Sequence, residues 1–177
     1  MNLDIKTFKI ETENLLLVPV SMDYVEEMFK EFTDEITKYM YPPTPKEIKE
    51  TASFVTFAIN KFLEGRDITV VILNKDTKEY IGNAGLHYMN TKTPEFGIWM
   101  KKGVHGHGYG KETITALKEW ADKNLDYEYI KYPVAEENIP SRKIPESLGG
   151  KEMNKYSQVN GNGVALNIVE YYIFPTK

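Results

Sequence analysis

Residues 103–112 read GVHGHGYGKE, with glycine at positions 106, 108 and 110. A strand-like run, EFGIWM, precedes this stretch, and a helix-like run, KETITALKEWADKNL, follows it. The first turn of a helix leaves backbone N–H groups without partners and carries partial positive charge. Glycines let that backbone approach an anion with no Cβ in the way. Strand, glycine loop and helix N-terminus in succession therefore make a phosphate cradle. It is not a P-loop, which needs GxxxxGK followed by Ser or Thr, because Lys111 is followed by Glu112. The GxGxxG dinucleotide fingerprint has a different spacing. What is left is GxGxG entering a helix, a pyrophosphate site of another type.

Other reactive side chains are sparse. There is no cysteine, which excludes disulfides, thiolate metal ligands and a cysteine nucleophile. The histidines are His87, His105 and His107. His105 and His107 lie two apart with no carboxylate cluster nearby in the chain, so no metal site is expected. His87 falls on a neighbouring strand and reads as either a base or a packing residue.

The elements that must position these residues follow from periodicity and turn chemistry. LLLVPV at 15–20 reads as a strand, and SMDYVEEMFKEF as a helix capped by Ser21. The prolines of MYPPTP break that helix. A long helix over 44–65 is expected next, with Thr44 as cap, Pro45 in its first turn and Gly65 at its end. DITVVILN and YIGNAGLHYM form a hairpin around NKDTKE, and PEFGIWMK is a third strand of this group. After the loop, residues 110–125 form a helix with Ile114, Leu117, Trp120, Ala121 and Leu125 on its apolar face. YEYIKYPVA is a strand, NIPSRKIPESLGG a short helix, and the remainder a hairpin turning at GNG. The pattern is a mixed α/β fold around a central sheet, and no repeat or linker divides residues 1–177, so one domain is expected.

Composition narrows the partners. The chain has 177 residues, 41% hydrophobic and 27% charged, with a net charge of −4. A mildly acidic surface disfavours nucleic acid and anionic membrane. No apolar run approaches the ~18 residues of a membrane span. The stretch MNLDIKTFKIETEN lacks the apolar core of a signal peptide. A cytoplasmic protein is the expectation.

With these pieces in order, the chain resembles the GNAT acetyltransferases. HGHGYGKE is similar to their R/Q-x-x-G-x-G/A signature, with His105 in the first position. EFGIWM resembles the family's fourth strand, NIPSRKIPESLGG its N-x-x-S/A helix, and ETENLLLVPVSMDYVEEMF its opening T-E-R-L-x-L-R-P-L. The subgroup it looks most like is the ribosomal-protein N-terminal (RimJ/RimL-like) acetyltransferases. The resemblance implies a mostly antiparallel sheet with helices on both faces and a splay between the fourth and fifth strands.

It also implies acetyl-CoA as cosubstrate, with no metal. The pyrophosphate would rest on the amides of Gly106, His107, Gly108, Tyr109, Gly110 and Lys111, with His105 beside them. The pantetheine arm would pair with Ile98, Trp99 and Met100, and Asn138 and Ser141 would lie near its thioester end. The acceptor implied is a primary amine, either a protein or peptide α-amine or a small molecule. Glu95 is the candidate base acting through water, the Met100 N–H the oxyanion donor, and Ser141 or water the acid for the thiolate. A non-catalytic acyl-CoA-binding module and an aminoglycoside-type enzyme are the alternatives. The bend at Tyr39, Met40 and Tyr41 is expected to shape acceptor choice, and Trp99 to be core or cavity wall. Three departures stand out: His105 replaces Arg or Gln, Pro145 replaces a tyrosine acid, and Asn14 and Val18 replace arginines. A monomer or homodimer is expected.

Overall fold

The computed structural model describes residues 3–176; Met1, Asn2 and Lys177 lie outside them. The elements are β1 (Ile10–Glu11), β2 (Leu15–Pro19), α1 (Val25–Glu31), α2 (Asp34–Thr37), α3 (Ile48–Leu63), β3 (Ile68–Asn74), β4 (Tyr80–His87), β5 (Glu95–Met100), α4 (Tyr109–Asn124), β6 (Ile130–Ala135), α5 (Ile139–Ser147), β7 (Lys151–Val159) and β8 (Ala165–Ile173). The strands form one sheet in the order β1-β2-β3-β4-β5-β6-β8-β7. Every neighbouring pair is antiparallel except β5 and β6, which are parallel and joined through α4. The mixed, mostly antiparallel sheet is the one the sequence implied.

Alternation along β3 shows how the two faces are covered. Ile68, Val70 and Ile72 join a core with Ile114, Leu117 and Ala121 of α4. Val71 and Leu73 point the other way, onto Val25 and Met28 of α1 and Val55 and Ala58 of α3. A strand buried on both sides loses its polar alternation, which is why ITVVILN reads as one apolar run. Leu117 is fully buried, and its replacement by alanine should cost about 2–5 kcal/mol through lost burial and the cavity left behind.

Two local expectations need correction. The long helix begins at Ile48 rather than 44, after Glu47, and has no side-chain cap. Thr44 is not available to cap it, because its hydroxyl is 2.6 Å from the Thr37 hydroxyl. The first helix also stops at Glu31, short of the prolines expected to break it, and Asp34–Thr37 makes a separate helical turn before them.

Candidate active site

The glycine loop leads from β5 into α4. Gly106 and Gly108 have φ of +85° and +80°, and a Cβ at either would meet nothing within 4 Å. Their glycines answer to backbone conformation and to the open space in front of it. Gly110 has a different reason: a Cβ there would lie 2.9 Å from Ile144 Cδ1 and 3.1 Å from Met100 Cε. That glycine lets α4 close on α5. Among the described residues, the amides of 106–111 find no protein hydrogen-bond partner. They form an unbroken run of free donors at the start of a 16-residue helix. His105 Nε2 donates to the Met100 carbonyl at 2.9 Å, tying the loop back to the strand.

The edge of β5 is open where it matters. β5 and β6 pair at one register position, Glu95 with Lys131, supported by a 2.8 Å bond from the Lys131 amide to the Pro94 carbonyl. Beyond it the strands separate, giving the splay expected from the resemblance. On the other side, the Lys101 amide bonds to the Ile81 carbonyl at 2.8 Å, within the β4–β5 ladder. Because backbone groups alternate along a strand, the polar groups of Ile98 and Met100 face the splay, whereas those of Trp99 face β4. Trp99 therefore contributes its side chain, packed at 4.7 Å from Phe32 and 6.1 Å from Tyr80, centroid to centroid. It is both core aromatic and cavity wall.

A cavity of about 500 Å³ opens beside this edge. Ile98, Trp99, Asn138, Ser141, Glu95, His87 and the Tyr39–Pro43 bend line it. Phe54 and Glu50 of α3 and Gln158 of β7 also contribute. The bend is held from the far end of the chain. The Gly161 amide donates to the Tyr41 carbonyl at 2.8 Å, and a Cβ at Gly161 would stand 2.4 Å from Pro43 Cδ. Tyr39 packs on Ala135, Leu166 and Ile168.

Three groups along the cavity can move protons. Burial pushes the Glu95 carboxyl up, with nearby His87 and Lys131 opposing that rise and Glu170 adding to it. At the splay, Asn138 caps α5 by accepting from the Ser141 amide at 3.4 Å. The Ser141 hydroxyl lies 2.9 Å from the Tyr132 phenol. Burial pushes that phenol up to about 12, with the bond to Ser141 pulling the other way, so Tyr132 keeps its proton. Third, His87 Nδ1 is 3.1 Å from Asp67 Oδ2.

Tyr132 and Asp67 were absent from the sequence reading. Tyr132 gave no signal beyond its place in a strand, and Asp67 lies 20 residues from the histidine it meets. The departures at the N-terminal side also find an account. Asn14 donates its amide and its side chain to Glu112 of α4, at 2.8 and 3.1 Å, and Thr12 donates to the same carboxylate at 2.5 Å.

Comparison with known proteins agrees with this geometry. Residues 14–151 match the acetyltransferase (GNAT) domain family. The chain is 24% identical over 169 residues to the uncharacterized N-acetyltransferase p20 of Bacillus licheniformis, covering 92% of each chain. Its fold superposes on RimL, a ribosomal L7/L12 α-N-protein acetyltransferase solved with coenzyme A, with a TM-score of 0.83 at 15% identity, covering 94% of this chain and 98% of RimL. It superposes on spermidine N-acetyltransferase of Vibrio cholerae, solved with CoA and spermine, with a TM-score of 0.80 at 18% identity, covering 93% and 97%. At such identities the structural likeness speaks for the fold. Among the described residues, no helix is long and apolar enough to cross a membrane. Taken with the family match across most of its length, these findings make the chain a member of the GNAT acetyltransferase family and an N-acetyltransferase.

Proposed function

We propose that this N-acetyltransferase takes its acetyl group from acetyl-CoA and passes it to the α-amine of a peptide or protein, or to a small primary amine. The observation that carries this reading is the run of free amides at 106–111, which follows a β5 edge that parts from β6 beside the cavity lined by Glu95, Ile98 and Ser141.

The residues present fit acetyl-CoA. The amides of Gly106 to Lys111 would hold its pyrophosphate at the α4 N-terminus. The polar groups of Ile98 and the N–H of Met100 would take the pantetheine arm as an added strand, the Met100 carbonyl being held by His105. Asn138 and Ser141 stand where the thioester would end. When bound, acetyl-CoA supplies an acyl thioester open to attack by an amine. Met100 offers a backbone N–H for the charge that develops on the carbonyl oxygen. Glu95 offers a carboxylate to hold the incoming ammonium. Ser141, backed by Tyr132, returns a proton at the sulfur end. Bringing both reactants into one cavity supplies much of the rate.

The lining supports an amine with an apolar neighbour. Its carboxylates are Glu50 and Glu95, set among Phe32, Tyr39, Phe54 and Trp99. A polycationic aminoglycoside calls for a denser set of carboxylates. RimL, named for a protein α-amine, and the Vibrio cholerae spermidine enzyme share the fold, so peptide and polyamine acceptors are tested together. Thermal melts with acetyl-CoA, CoA and ATP come first, and stabilisation by the two CoA compounds alone is expected. Mass spectrometry then follows acetylation of an octapeptide with free N-terminal alanine, its N-blocked control, phenylalaninamide and spermine. Transfer to the free peptide or phenylalaninamide and not to the control is the expected result. Stabilisation by none of the nucleotides would sink the reading.

A further inference from the structure

His87 ends β4, and its ring folds back over the sheet with 30% of the side chain exposed. A Cβ at Gly85 would stand 2.3 Å from His87 Nε2, and one at Gly97 would stand 3.4 Å from it. Gly85 and Gly97 face each other across the β4–β5 ladder, two register positions from the His87–Glu95 pair and so on the same face. The imidazole therefore lies back over a floor made by two glycines. Gly97 is followed in the chain by Ile98, at the open edge of β5. The ring, Glu95, Gly97 and Ile98 line the same cavity.

The other side of the ring is fixed. Asp67 Oδ2 is 3.1 Å from Nδ1, and Asp67 Oδ1 accepts from the Tyr88 amide at 2.9 Å. Burial opposes the charged form of Asp67, but the bonds to His87 and Tyr88 outweigh it and hold the carboxyl below the usual range. An ionised carboxylate only accepts, so Nδ1 must carry the proton. In the neutral ring Nε2 then keeps its lone pair, and among the described residues it has no protein partner. The groups around the ring are Asp67 with Arg66 behind it, the Tyr88 ring at 6.5 Å, and Glu95 with Lys131 and Glu170 beyond.

We propose that His87 is the general base of the acetyl transfer, with Asp67 as its positioning residue and Glu95 holding the acceptor ammonium beside it. This rests on the acetyl-CoA-to-amine reading above. An imidazole suits the task better than a carboxylate, because a base works best when its proton affinity is matched to the working pH. The acceptor ammonium gives one proton to Nε2, and Asp67 balances the imidazolium. The nitrogen lone pair so freed forms the C–N bond at the thioester carbonyl carbon. The C–S bond breaks with its electron pair on sulfur. The second nitrogen proton ends on that thiolate by way of Ser141 or water, and His87 releases its proton to solvent. Ammonium and thioester thus become amide, thiol and one proton.

The chain has three histidines, so nitrogen-15 imidazole spectra resolve each ring without an acceptor. The expected result is a His87 ring protonated at Nδ1 and bare at Nε2, becoming doubly protonated on acidification. In Asp67→Asn the amide side chain can donate to Nδ1, and the tautomer should reverse. His87→Gln should lower kcat/KM by about 100-fold or more near neutral pH, measured with the fastest of the octapeptide, phenylalaninamide and spermine. The deficit should shrink above about pH 9, where an amine sheds its own proton. Acetyl-CoA stabilisation should survive in both variants. A proton on Nε2 in the unmodified chain, or an unchanged pH profile in His87→Gln, overturns the assignment alone. Loss of acetyl-CoA stabilisation in the unmodified chain would overturn the parent reading with it.

Discussion

The phenol of Tyr132 on β6 and the hydroxyl of Ser141 on α5 lie 2.9 Å apart, at the point where β6 parts from β5. Burial keeps Tyr132 protonated, so the pair is a two-hydroxyl relay ending in the cavity. In the proposed reaction it would stand in for the tyrosine that the resemblance led one to seek at Pro145. Tyr132→Phe and Ser141→Ala should each lower kcat by about 10- to 100-fold. Groups acting in series are non-additive, so the double variant should be no slower than the worse single one. Steady-state kinetics of the three variants, with acetyl-CoA affinity unchanged, is the check.

Gly108 and Gly110 should fail in different ways. Gly108→Val puts a side chain into the open space before the free amides and asks a β-branched residue to hold a φ of +80°. Acetyl-CoA affinity should fall about 100-fold or more, for a backbone cost of about 1–2 kcal/mol. Gly110→Val instead drives into Ile144 and Met100, and overpacking of that kind costs about 1–3 kcal/mol. Calorimetric titration beside thermal melting separates the two: lost binding with a standing fold for the first, a lowered melting point for the second. Unchanged affinity in Gly108→Val would remove the cradle.

Glu95→Gln should trade activity for stability. A carboxyl whose folded pKa is raised above its unfolded value of about 4.3 contributes no penalty in acid, where it is protonated. As pH rises through the folded pKa, the fold must bury the charge and loses stability. The neutral amide removes that loss. The variant should melt higher than the unmodified chain near neutral pH, with the gap closing below about pH 4. Its turnover should drop about tenfold or more, with acetyl-CoA affinity intact. A variant as active as the unmodified chain would strip Glu95 of any role toward the amine.

Glu112 gives the opposite sign. Burial alone would raise its pKa, but the hydrogen bonds from Thr12 and Asn14 outweigh this and lower it. Its contribution is present above the unfolded carboxylate pKa and is lost as pH falls through the folded one. Glu112→Ala leaves the donors of Thr12 and Asn14 without their acceptor, at a cost of about 1–3 kcal/mol. Each kcal/mol should lower the melting point by about 2–4 °C near neutral pH. Melting curves between neutral pH and about pH 3 should converge.

These cases also mark what a sequence can and cannot disclose. The GxGxG loop was legible because its cause is local: glycines with positive φ, a strand before and a periodic helix after. The apolar run of β3 and the hairpin at Asn74 were legible for the same reason, Asn74 bonding the Asp76 and Thr77 amides as its residue type predicts. Thr44 misled because its hydroxyl had two candidate partners, and Thr37 won through tertiary contact. Asp67 and Tyr132 stayed hidden because each acquires its partner only when the strands and α5 are assembled. His105 showed its position but not its task, since the bond to the Met100 carbonyl depends on how the loop folds back.

The Tyr39–Pro43 bend is fastened by the tip of the β7–β8 hairpin through the Gly161–Tyr41 bond. The free amides lie on another segment altogether, between β5 and α4. On the proposed reading, the segments that would choose the acceptor and grip the donor are thus physically separate. Editing the bend or the hairpin tip should then alter the diet of amines while the loop GVHGHG keeps its hold on the donor.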